Sequence, residues 1–389
     1  MGLFAPSTLA QLKLDTSLSG VAEYDSNVFR LPSGAPAPGT TVISIPADQR
    51  SDRILMAVAT ANLEYKVGDQ RLYLLGDGTH YWYRTYSALN RNEGNGEGGL
   101  QWRASDELDG KLSYQQSRRM VPEEARAIPS LDLAYTTNRT ASAGINFNVA
   151  PQWRLETRGD WIRQDSPAPT VQYKLDEHDY TLGTKYLGLG AIAMGFEVQG
   201  IDGSFTAPFI PVGTIPTLPL TLTTSHYRQY SEDLTVDYTV NGLSKLTAKV
   251  GSSQRRTRDN SAADSNGFTG ELKYKRTISA LTSVTLGLFR RLQSYPSFND
   301  YVVETGGSGQ LEYHPTPKLY SSLLLQYVND QFHGADRSDR LALLDAGVGY
   351  ELFDHFSIKP GVHLENRRSS GGTYSFIDRI YSVEAKLTF

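Results

Sequence analysis

From Trp153 to Trp161 the chain alternates without a break. Trp153, Leu155, Thr157, Gly159 and Trp161 take the odd positions, and Arg154, Glu156, Arg158 and Asp160 take the even ones. A period of two puts these sets on opposite faces of an extended strand. Four charges on one face do not fit the dry core between packed sheets, where an unpaired charge is costly. They fit a wall that meets water. The other face, closed by tryptophan at both ends, fits hydrocarbon, where each arginine would cost about 2 to 4 kcal/mol at mid-bilayer. A strand that is wet on one side and apolar on the other is the repeating unit of a membrane-spanning barrel.

The unit recurs along the chain. Leu12, Leu14, Thr16, Leu18, Gly20, Ala22 and Tyr24 oppose Lys13, Asp15, Ser17, Ser19, Val21 and Glu23. Residues 53–65 repeat the pattern, a turn follows at 66–69, and Leu72, Leu74, Gly76, Gly78, His80 and Trp82 then oppose Arg71, Tyr73, Asp77, Thr79 and Tyr83. Asn241-Gly242 is a strong hairpin signal between two further alternating runs. The last run sets Tyr381, Val383, Ala385, Leu387 and Phe389 against Ser382, Glu384, Lys386 and Thr388, and it is predicted to close against the first. The count is about 18 strands of roughly 5 to 14 residues, with about nine long connections alternating with about eight short ones. The predicted fold is therefore all-β: one antiparallel up-and-down barrel over residues 12–389, preceded by an N-terminal periplasmic segment, 1–11. Aromatic residues such as Tyr24, Tyr65, Trp82, Trp102, Tyr313 and Tyr350 fall near strand ends, as interfacial rings do.

Composition removes the competing classes. Hydrophobic residues are 39% of the chain, and no run approaches the roughly 18 apolar residues of a membrane helix. A formal charge of -4, with scattered basic residues, gives nucleic acid no basis as a partner. With no cysteine, thiolate metal sites and thiol nucleophiles are excluded. Met1 to Ala10 lacks the pattern of a signal peptide, and the expectation is that one has been removed.

The stretch Tyr24-Asp25-Ser26-Asn27-Val28-Phe29-Arg30-Leu31-Pro32, followed by Ser51-Asp52-Arg53, resembles the EpsL-like outer-membrane barrels encoded with exopolysaccharide synthesis genes. The terminal Phe389 is similar to the assembly signal that closes bacterial outer-membrane barrels. What the resemblance implies is an outer-membrane channel of a Gram-negative bacterium that passively conducts a secreted exopolysaccharide, with periplasmic or inner-membrane export proteins as partners. A general or substrate-specific diffusion porin for small solutes is the alternative, and a barrel enzyme is a third.

The functional residues of a barrel lie on its inner wall. Alternation assigns that wall Lys13, Asp15, Arg71, Arg103, Arg154, Glu156, Arg158, Asp160, Lys185, Lys249, Lys273, Asp345, Lys359 and Glu365, among other charges. The two signs nearly balance, which suits a neutral or mixed-charge solute, or cross-strand ion pairs that stabilise the wall. Tyr73, Tyr83, Phe289 and Tyr320 also point inward as candidate platforms for sugar rings. Two connections, 25–50 and 203–227, are rich in proline and carry Val42, Ile43, Ile45, Phe209, Ile210, Val212, Ile215, Leu218 and Leu220, so they are candidate gates. Gly94, Gly96 and Gly99 match G-x-G-x-x-G, but the stretch reads as a loop entering a strand, without the helix a dinucleotide site needs. The histidines are dispersed, with His80 and His178 outward and His363 inward. No catalytic residue, cofactor or metal site is predicted.

Overall fold

The computed structural model describes residues 10–32, 45–121, 133–167, 172–208, 222–258, 264–295, 300–333, 337–370 and 374–389. Among them, eighteen strands form one sheet that closes on itself. They are β1 (Gln11–Asp25), β2 (Asp52–Val67), β3 (Gln70–Tyr83), β4 (Arg91–Arg103), β5 (Leu108–Met120), β6 (Tyr135–Ala150), β7 (Trp153–Ser166), β8 (Tyr173–Leu189) and β9 (Ile192–Pro208). The second half is β10 (Leu222–Asn241), β11 (Ser244–Thr257), β12 (Ser265–Ser279), β13 (Thr282–Tyr295), β14 (Asp300–Tyr313), β15 (Leu319–His333), β16 (Arg337–Phe353), β17 (Phe356–Ser369) and β18 (Phe376–Thr388). Each strand pairs antiparallel with its neighbours in sequence, and β18 returns to β1, so the ladder has no free edge.

Register fixes the faces. Leu18 lies opposite Leu387, Ala22 opposite Val383 and Tyr24 opposite Tyr381, and residues directly opposite share a face. That face is bare, with Leu12 67% and Val383 49% exposed. The closing strand therefore points its odd positions outward, as the alternation predicts. On the other face Lys13 is opposite Glu64, Glu64 opposite Tyr73 and Tyr73 opposite Gly99, which carries the inward row from strand to strand. At the β2–β3 and β8–β9 turns, Gly68 (φ 58°) and Gly190 (φ 67°) take the left-handed conformation that favours glycine.

The strands are longer than the alternation predicts, running from 13 residues in β5 to 20 in β10. The expected connection 203–227 shrinks, because 203–208 belong to β9 and 222–227 to β10. Gly94, Gly96 and Gly99 all lie inside β4, so the stretch read as a loop entering a strand is strand throughout. The gaps between β13 and β14 and between β15 and β16 are no longer than turns, so the alternation of long and short connections is less regular than expected. The physical reason is common to all of these. Past the aromatic ring neither face of a strand needs to be apolar, so the two-residue hydrophobic pattern ends while the hydrogen-bond ladder continues.

Candidate functional site

Most of the predicted inner-wall charges are paired with one another. Lys13 meets Asp15 at 2.7 Å, Arg71 meets Glu64 at 2.7 Å, and Arg158 meets Asp160 at 2.7 Å. Arg154 reaches Asp109 at 3.1 Å and Glu156 at 3.4 Å. Lys185 joins Asp237 at 3.1 Å and Glu156 at 3.9 Å, while Lys249 joins Glu197 at 2.8 Å and Asp233 at 3.1 Å. Arg103, Lys273 and Lys359 have no ion pair among the described residues. Between Lys185 and Lys249 the wall is recessed by a cavity of about 230 Å³, bordered also by Glu156, Glu197, Asp237 and Glu271. Exposed and half-exposed pairs of this kind are screened by water and add little to stability. Their larger effect is on the field in the lumen, which has neither sign in excess over this stretch.

The four inward aromatics are wall elements. Tyr73 and Tyr83 are each only 7% exposed. The Tyr73 hydroxyl donates to Glu97 at 2.6 Å, and its ring lies against Gly99, with the Lys111 ammonium 5.5 Å from the ring centre. Phe289 lies against Gly306 and Tyr320 against Gly349 in the same way, each ring covering the backbone of a glycine on the adjacent strand. Tyr83 packs with Ile54 and Leu89 and takes a hydrogen bond from Arg91. Tyr73 and Tyr83 therefore present no free ring face to a passing sugar.

The segment that follows β1 turns inward. Asp25 starts it by accepting the Asn27 amide at 2.7 Å, a local side-chain turn typical of aspartate. Asn27 then donates to the carbonyls of Leu31 (2.9 Å) and Ile377 (3.2 Å) and accepts the Leu31 amide at 3.1 Å. Arg30 takes a left-handed φ of 49°, uncommon for a residue with a side chain. The turn carries Val28 and Phe29 into a cluster with Ile45, Ile54, Tyr83 and Leu89, and Met56, Tyr81 and Leu133 pack around it. Ile54, Met56, Tyr81 and Tyr83 all stand in the inward row, so residues 26–31 are folded back over the inner wall of β2 and β3.

Charges lock the turn to the far side of the seam. Arg30 lies 3.6 Å from Glu365 in β17 and 3.6 Å from the fully buried Asp378 in β18. Ser26 donates to Asp378 at 3.1 Å. Next to this group the buried Asp339 accepts from Arg337 at 2.9 Å and lies 3.3 Å from Arg367. Buried charges are retained only when paired in this way, and removing one partner is strongly destabilising. Tyr374, in the β17–β18 connection, stacks under the Arg337 guanidinium, and burial pushes its phenol above the usual range.

His363 is the inward histidine, as predicted. Its Nδ1 lies 2.8 Å from Asp345 and its Nε2 lies 3.8 Å from Glu365, so both ring nitrogens face carboxylates and neither faces a hydroxyl nucleophile. His80, outward, lies tilted against Trp82 at 4.1 Å between ring centres, and His178, also outward, is 3.9 Å from Asp176. Among the described residues no group of three or more His, Asp and Glu side chains is arranged to hold a metal ion.

Sequence reasoning missed the inward turn. The available signal was Asp25-Ser26-Asn27, a turn former, followed at once by Val28-Phe29, an apolar pair too large to leave in water. Of the predicted gate residues Ile45 is buried in the cluster. Val42, Ile43, Phe209, Ile210, Val212, Ile215, Leu218 and Leu220 lie outside the described residues. Halfway round the barrel, Leu175, Phe205, Ala207 and Tyr227 form a second apolar cluster on the inner wall. Phe389 ends the chain facing outward, with its amide bonded to the Thr16 carbonyl at 2.9 Å.

No curated protein sequence matches the chain. The outer-membrane protein OpdK from Pseudomonas aeruginosa is 13% identical, covering 97% of this chain and 99% of its own, with a TM-score of 0.46. A mutant form of the ferric enterobactin receptor PfeA from Pseudomonas aeruginosa is 8% identical, covering 96% of this chain and 80% of its own, also with a TM-score of 0.46. Residues 242–389, which take in the closing strands, match the model of the family described as Putative beta-barrel porin 2.

Proposed function

We propose that the protein is a passive outer-membrane channel selective for small polar solutes. The observation that carries this reading is the turn at residues 26–31, which stands against the inner wall, anchored by Phe29 on one side and Arg30 on the other. It narrows the bore near the long connections. Below it, cations and carboxylates interleave along the wall, and the recess between Lys185 and Lys249 offers a donor and acceptor set for a solute carrying both kinds of group. The match of residues 242–389 to a porin family points the same way.

Export of an exopolysaccharide draws on the likeness of residues 24–32 to that family of barrels. The inward turn now accounts for those residues on structural grounds, and two of the aromatic platforms a sliding glycan would use are buried. A barrel enzyme finds no support in the surroundings of His363. Reconstituted protein tests the reading: liposomes should swell at rates that fall steeply with solute size, and flux of a polymeric glycan should be absent. Passage of a large glycan by the purified barrel alone would overturn it.

A further inference from the structure

Above the aromatic ring, at the end where the long connections lie, the outward face becomes cationic. Ile54 in β2 is opposite Tyr83 in β3, and the next pair outward is Arg53 and Arg84, joined by the Arg84 amide donating to the Arg53 carbonyl at 3.0 Å. Both side chains are exposed. Like charges directly across a ladder stand about 5 Å apart at Cβ and destabilise the pair. Arg340 and Arg368, opposite each other in β16 and β17, repeat the arrangement. Elsewhere around the barrel some outward arginines have carboxylates, Arg139 and Arg163 sharing Asp165 and Arg228 reaching Asp202, while Arg118, Arg256 and Arg290 have no ion pair among the described residues. Among the described residues Arg53, Arg84, Arg340 and Arg368 have none. The outward positions of β16, β17, β18, β1, β2 and β3 above the ring hold no acidic residue.

Arg53 and Arg84 also border an outward apolar groove of about 670 Å³, lined by Ala22, Tyr24, Leu55, Trp82, Tyr381 and Val383. The small Ala22 sits among three rings. We propose that this groove holds a membrane lipid whose headgroup bears a phosphomonoester, with the phosphate gripped by Arg53 and Arg84 and an acyl chain lying along the groove. The inference rests on the reading of the barrel as membrane-spanning. Two facing guanidiniums call for close to two negative charges on one group. A phosphomonoester carries nearly that many and offers oxygens in the planar spacing that guanidinium forks match. A zwitterionic phosphodiester brings its own cation and is the poorer fit.

The test is native mass spectrometry of the full chain released from nanodiscs. The probes are bisphosphorylated lipid A, its dephosphorylated form and phosphatidylethanolamine. Wild type is expected to retain bisphosphorylated lipid A about tenfold or more over the other two, the worth of one charged hydrogen-bond pair. Arg53→Gln with Arg84→Gln should bring retention down to the dephosphorylated level. Arg139→Gln with Arg163→Gln, a pair held by Asp165, should leave it unchanged, which controls for loss of fold. Equal retention by the Arg53/Arg84 double variant, equal binding of the dephosphorylated lipid, or a Leu55→Cys cross-link between two copies in lipid A discs would each overturn the proposal. Conductance is measured on the same samples, so failure of the channel reading would show separately from failure of this site.

Discussion

Phe29→Ala tests whether the inward turn sets the width of the channel. The ring is 3% exposed, packed among Val28, Ile54, Tyr83 and Leu89, and meets Tyr86 edge-on at 4.7 Å between ring centres. Deleting a buried phenylalanine costs about 3 to 5 kcal/mol. The loss falls on the docking of the turn, because the barrel's own ladder is closed and untouched. At about 1.4 kcal/mol per tenfold, the balance between docked and released turn moves by about two to three and a half orders of magnitude. Arg30 and Asn27 still hold the turn from the β17–β18 side, so it should flicker and not remain permanently open. Single channels in planar bilayers are expected to show higher mean conductance and greater noise, and trypsin should begin to cut after Arg30. If trypsin cuts there while conductance stays at the wild-type value, the turn leaves the bore without widening it, and the constriction argument is wrong.

Other outcomes follow from the wall. Lys185→Gln with Lys249→Gln strips the cations from Asp237, Glu197 and Asp233 and leaves Glu156 with Arg154 alone. The reversal potential in a potassium chloride gradient should shift toward that of potassium, whereas an unchanged value would mean that these charges do not line the conducting path. Gly251→Ala would drive a methyl into the Glu232 carbonyl and the Asp233 backbone, which the ladder cannot move aside. The folded fraction, read as the heat-sensitive band on a denaturing gel, should collapse, and normal folding would contradict the β10–β11 register. Gly20→Cys with Ala385→Cys places thiols on directly opposite residues of β1 and β18, at a separation disulfides accept. Oxidised protein should stay a closed loop after boiling and migrate apart from its reduced form. If no disulfide forms, the seam is paired otherwise.

The lower half of each strand was legible because hydrocarbon on one side and water on the other force alternation residue by residue, as in Trp153 to Trp161. Their upper halves were not. In β10, Thr223, Ser225, Gln229 and Ser231 are polar on the inward face, and Thr224, His226, Arg228 and Tyr230 are scarcely less polar on the outward one, so no period survives. The inner-wall residues were assigned from alternation alone. What they do there depends on the neighbouring strand. That Tyr73 lies on Gly99, or that Lys249 sits between Glu197 and Asp233, follows from register, and register is a property of the closed ladder that no single segment carries. The Asp25 to Pro32 stretch stood out as unusual in the sequence, yet its meaning lay in partners as distant as Glu365 and Asp378.

The unequal strand lengths give the rim a slope. The short turns lie close to the lower aromatic ring, so the extra length falls at the other end. There β10, with 20 residues, outreaches β5, with 13. At about 3.4 Å per residue and a tilt near 40°, that difference raises the end of the ladder at β10 about 18 Å above its end at β5. The chain therefore enters β10 well above the level at which it leaves β5, so the outer connections start from different heights around the barrel.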